Sequence, residues 1–192
     1  MYFQSSFAFK LTSGSVILMK ITLAQALPVR NAISRRIQEL LQERNRVAFV
    51  EVEKGEQYEK PARSIEVVTK ELEETRIDFR RLDVSVATEN LKATIQWDGE
   101  EISLIEAIEL AKQIRGEVKD LKNFGNRKKQ ERKSSNGWGN SDANVIVFAM
   151  YEPEDYRKKA LKLEREVTRL SLEIERKNHF VEFEFANAER YI

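Results

Sequence analysis

The chain has no cysteine, which excludes disulfides, Cys-ligated zinc, iron–sulfur clusters and thiol nucleophiles together. A single histidine, His179, provides no pair for a His-rich metal site or a Ser–His couple. Three prolines and seven glycines in 192 residues leave few helix breaks, and the abundant Glu, Lys, Arg and Leu favour long helices. No run approaches the roughly 18–20 apolar residues that a helix needs to cross a bilayer. Charge of one sign is missing too: 33 Lys and Arg balance 32 Asp and Glu. The composition is 41% hydrophobic, enough for a core. The length suits one domain, or one domain plus an appendage. A cytoplasmic location is expected.

At the start, Tyr2-Phe3-Gln4-Ser5 matches the tail of a protease-cleavable tag, and Met19 offers a natural first residue. Residues 1–18 are therefore expected to be a tag or leader remnant, with 19–192 as a single helical domain. The alternative is a strand, because Phe7, Phe9 and Leu11 alternate and Val16-Ile17-Leu18 is apolar.

Helical spacing first appears from about Thr22 to Arg44, where Ile33, Ile37, Leu40 and Leu41 form a stripe. Pro28 should kink this helix or mark its first turn. Val47 to Val52 is β-rich, and the loop from Glu51 to Glu59 carries four Glu against one Lys.

The second pattern is stronger. Ile65, Val68, Leu72, Thr75, Phe79, Leu82, Val86 and Glu89 alternate steps of three and four, the seam of a coiled coil. A helix from about Ala62 to Leu91 would reach roughly 45 Å. Thr94 to Trp97 reads as a short strand before the Asp98-Gly99 turn. Ser103 and Glu106 then form a capping box opening a third helix. Gly116 costs that helix stability unless a neighbour approaches closely.

Periodicity stops from Asn123 to Asn144, which reads as a flexible basic loop. Val145 to Tyr151 is strand-like, and Pro153 suits a helix start. The last helix repeats the seam with Tyr156, Ala160, Leu163, Val167, Leu170, Ile174, Lys177 and Val181. The fold class is thus mainly α: an elongated antiparallel helical bundle with coiled-coil-like long helices. A small β element from 47–52, 94–97 and 145–151 is expected to join it.

The interaction seam comprises Ile65, Val68, Leu72, Phe79, Leu82, Val86, Leu163, Val167, Leu170 and Ile174. Long helices in a small chain leave exposed flank, so a homo-oligomer is expected. Lys122, Arg127, Lys128, Lys129, Arg132 and Lys133, followed by Trp138, form a candidate polyanion site. Cations displace counterions from phosphates, and an aromatic ring stacks on unpaired bases. The bland reading is a solvated loop. Paired carboxylates such as Glu73/Glu74 and Glu152/Glu154 are interleaved with Lys and Arg, as solvated helix faces are. No catalytic, cofactor or metal site and no small-molecule substrate emerges. The expected role is a non-enzymatic, self-associating helical scaffold, with nucleic-acid binding through residues 119–138 as an alternative.

The order of features resembles a known family. Met19-Lys20, Leu23 to Leu27, Arg30 and the Glu53-Lys54-Gly55-Glu56 loop are similar to the start of the septicolysin-like family of uncharacterised bacterial proteins. Leu82, Thr88-Glu89-Asn90, Thr94 and the run Asp98 to Ile108 resemble its central motif. Arg169-Leu170 and Ile174 to His179 resemble its closing Leu-Asp-x-x-Ile-Gln-x-x-Asn-Trp run. The likeness spans roughly residues 19–182. His179 stands where the family has Trp, Ser171 where it has Asp, and Leu110-Ala111-Lys112 replaces an Arg-Asp pair. The resemblance implies a helical fold and no established activity. Its cytolysin label adds a further alternative, an oligomeric pore-former, although the 145–151 run is shorter than the roughly 9–11 residues of a membrane strand.

Overall fold

Thr22 shows how the first helix begins. Its hydroxyl accepts from the Gln25 amide at 3.1 Å while its own amide donates to Gln25 Oε1 at 2.9 Å, a complete capping box. This geometry comes from a computed structural model, which describes residues 18–132 and 145–192. The protein is a helical bundle with short antiparallel strands. It divides into two units, one of residues up to Ser85 plus Glu182–Ile192, the other Val86–Val181.

In the first unit, strand β1 (Leu18–Thr22) leads into α1 (Leu23–Val47), followed by α2 (Ile65–Lys92), whose portion up to Ser85 belongs here. Pro28 lies inside α1, so one backbone bond is missing there without ending the helix. Arg30 pairs with Asp83 and Arg36 with Glu71, which sets α1 and α2 antiparallel. Leu40, Val68 and Leu72 form a core cluster flanked by Ile37, Leu41 and Val47. The last strand (Glu182–Ala186) pairs antiparallel with β1, placing Ile21 opposite Phe183. Ile21, Phe183 and Phe185 are buried, as period-two alternation requires.

In the second unit the end of α2 is followed by the hairpin β2 (Thr94–Trp97) and β3 (Glu100–Ser103). Asp98 and Gly99 both take positive φ, 48° and 88°, the geometry of a tight hairpin turn. Ser103 accepts from the Glu106 amide to start α3 (Leu104–Gly125). Helix α4 (Pro153–Phe180) returns antiparallel, since Arg115 bonds Ser171 and Lys122 bonds Glu164. Leu104, Ala107, Ala111, Val118 and Leu121 are buried on α3, as are Ala160, Val167 and Leu170 on α4. Between the helices, β4 (Gln130–Arg132) pairs with β5 (Ile146–Phe148). The strand Glu182–Ala186 is β6.

Two expectations need correction. Residues 48–52 form no strand, and Phe49 and Val50 are exposed; with no partner strand among the described residues, their backbone gains nothing from extension. Among the described residues the small β element consists of three two-stranded sheets, β1–β6, β2–β3 and β4–β5, with 94–97 in one and 146–148 in another. The stretch expected to be loop from Asn123 holds the end of α3 and all of β4. The close helix approach falls at Gly125, not Gly116: a Cβ on Gly125 would lie 2.9 Å from the Arg157 amide nitrogen, while nothing lies within 4 Å of Gly116.

Candidate functional site

The predicted seams are filled largely within the chain. Val68, Leu72, Leu82, Val167 and Leu170 are buried; Phe79, Val86, Leu163 and Ile174 are half-buried; Ile65 remains exposed at the start of α2. Phe79 carries the Arg30 guanidinium 4.7 Å from its ring centre, a cation–π contact.

The basic cluster is distributed over two elements. Lys122 lies on α3 and pairs with Glu164 at 2.6 Å. Arg127 faces Glu131 at 3.7 Å, and Lys129 faces Glu152 at 3.5 Å. Lys128 and Arg132 make no ion pair among the described residues. Lys133 and Trp138 lie outside the described residues. Three of the five described cations therefore already have carboxylate neighbours.

Helix α2 carries a second apolar flank outside the predicted seam. Ile77 and Val84 stand seven residues apart, one heptad, and so share a face. They are 37% and 66% exposed. With Phe185 and Ala186 of β6 they line a groove of about 740 Å³, completed by Arg80, Arg81, Ser85 and Glu184. Arg80, Arg81 and Glu184 make no ion pair among the described residues. The i, i+7 spacing was the available signal, but the denser seam on the other face masked it.

A polar cleft of about 780 Å³ lies between α1, α2 and the C-terminal turn. Its main carboxylate, Glu71, is gripped by Arg36 at 2.6 Å and also by Arg63. The hydrogen bond from Arg36, more than that from Arg63, holds the Glu71 carboxyl below its ordinary range against the opposing effect of burial. Tyr191 also lines the cleft, and burial followed by its bond to Asp78 pushes its phenol upward. Such groups cross-link helices; they do not converge on a reacting atom. Among the described residues, no group of three or more His, Asp or Glu side chains could hold a metal ion. No described helix is long and apolar enough to cross a membrane.

No family model matches the chain. No curated protein matches it either. A crystal structure of a functionally unknown conserved protein from Corynebacterium diphtheriae is similar, with a TM-score of 0.60 and 22% identity over 86% of this chain and 99% of that one. That likeness concerns the fold.

Proposed function

We propose that the protein acts by binding, as a non-enzymatic helical scaffold that self-associates through the α2–β6 groove. The observation that carries this reading is the pairing of exposed Ile77 and Val84 with charges of both signs around one groove, which make no ion pair among the described residues. A surface that holds both Arg80/Arg81 and Glu184 is complementary to a rotated copy of itself. In a two-fold dimer the arginines of one chain meet the glutamate of the other, twice. Covering a side chain as exposed as Val84 adds up to about 1.5 kcal/mol per copy.

Light scattering on the full chain tests it. Twice the 22.4 kDa chain mass is expected at micromolar concentration, and Val84→Glu should halve it while leaving the helical circular dichroism unchanged. A wild-type chain that stays monomeric at that concentration would sink the reading.

A further inference from the structure

We propose that the β4–β5 hairpin docks the protein peripherally on an anionic lipid surface. Successive strand residues point to opposite faces, so Ile146 and Phe148 occupy one face of β5 and Val147 the other. Val147 is 51% exposed and Phe148 54%, so each face leaves an apolar side chain about half open to solvent. Among the described residues the sheet has two strands, and one edge of β5 has no strand partner. Met150, just beyond, is almost wholly in solvent. Apolar edge strands without charged guards are normally hidden.

The charge beside this strand indicates what hides it. Arg127, Lys128 and Lys129 precede β4, and Arg132 ends it opposite Ile146. Their neighbouring acids are Glu131 and Glu152, at 3.7 Å from Arg127 and 3.5 Å from Lys129. Exposed pairs that long contribute little. Among the described residues, four cations against two acids leave the strands and their flanks positive. A second copy joined strand to strand would bring like charges together. Nucleic acid would use the cations and leave Val147 and Ile146 in water. An anionic lipid interface uses both: headgroups take the cations, and the acyl boundary takes the apolar side chains.

The hairpin is held firmly at its base. Phe124, Tyr151 and Tyr156 pack with ring centres 4.8–5.6 Å apart. The Ala149 amide donates to the Lys129 carbonyl at 2.9 Å, and the Lys129 ammonium donates to the Tyr151 carbonyl at 2.7 Å. This presents the apolar strand from a fixed platform. Its residues are distinct from those of the α2–β6 groove, so the two proposals stand or fall separately.

Co-sedimentation of the full chain with vesicles tests it. Phosphatidylcholine mixed with phosphatidylglycerol at about three to one should bind the protein, whereas phosphatidylcholine alone should bind it at least about tenfold less. Added salt should weaken binding. Val147→Asp with Phe148→Asp should abolish sedimentation. Should that variant misfold by circular dichroism, Lys128→Glu with Arg132→Glu, both solvent-facing, should lower binding more than about tenfold. Equal binding to neutral vesicles, or wild-type binding by either well-folded variant, would overturn the proposal. So would absence of vesicle binding together with binding of a single-stranded oligonucleotide, which would assign the cations to nucleic acid. Absence of vesicle binding with a lower light-scattering mass for the Val147→Asp, Phe148→Asp variant would overturn it in favour of a second copy.

Discussion

The Tyr191 hydroxyl donates a 2.9 Å hydrogen bond to the carboxylate of Asp78, which is only 3% exposed. Asn187 Nδ2 adds a longer one at 3.4 Å. Asp78 lies in the middle of α2, and no cation pairs with it among the described residues. A buried charge depends on such donors. The bond therefore ties the C-terminal turn, Ala188–Arg190 with its left-handed Asn187, to the centre of the first unit.

Replacing Tyr191 with Phe leaves Asp78 with the weaker Asn187 contact, and the loss should be about 1–3 kcal/mol in urea denaturation. A second signature lies at high pH. The phenol is raised above its ordinary value of about 10, chiefly by burial and then by Asp78. Above that value the unfolded chain sheds the proton while the folded chain keeps it, so stability falls as pH rises. Tyr191→Phe should flatten that alkaline decline. A variant as stable as wild type with the same alkaline slope would show that the latch contributes nothing.

Glu71 gives the opposite sign. Bonds from Arg36, and secondarily Arg63, lower its folded pKa. Its contribution is therefore present above the unfolded carboxylate value and is lost as pH falls through the folded one. The side chain is 36% exposed, and solvent screening limits the effect to about 1 kcal/mol. Glu71→Gln should be less stable than wild type by about that amount at neutral pH. The two melting curves should converge in acid.

Which of these features could be read from the chain alone follows from how local their causes are. Ser103 starting α3 and Pro153 starting α4 were legible because a cap needs only neighbouring residues. The buried members of the seams, Val68, Leu72, Leu82, Val167 and Leu170, were legible because helical period alone selects them. Strand partners were not. Val47 to Val52 had the right composition and no partner, whereas Gln130–Arg132 had a poor composition and found β5. Glu182–Ala186 alternates clearly, yet its partner β1 lies more than 150 residues away, where Met19 to Thr22 carried no strand expectation of its own. Nothing in the sequence marks Asp78 for burial, because its donors come from the far end of the chain.

Gly125 presents a close approach that composition could not locate. A Cβ there would stand 2.9 Å from the backbone nitrogen of Arg157 and 3.0 Å from its Cα. Backbone cannot swing aside as a side-chain tip can, and the Arg157 guanidinium also donates to the Gly125 carbonyl at 2.9 Å. Gly125→Ala should push the end of α3 away from the start of α4 and cost about 1–3 kcal/mol. Gly116→Ala, in open space on the same helix, should instead stabilise by about 0.5–1 kcal/mol. Thermal melts of the two variants in opposite directions would verify the contrast.

The groove on α2 permits a sharper experiment than loss of mass. If Arg80 and Arg81 of one copy face Glu184 of the other, Glu184→Arg sets arginine against arginine at both symmetric contacts. Arg80→Glu with Arg81→Glu likewise sets acid against acid. Each variant alone should be monomeric by light scattering, since like charges across an interface oppose assembly. Mixed in equal amounts, they regain both contacts, because the native arginines of the first meet the native Glu184 of the second and the new charges meet each other. The mixture should recover the dimer mass, and high salt should weaken it. Two variants that each remain dimeric, or a mixture that remains monomeric, would show that these charges do not face each other across an interface.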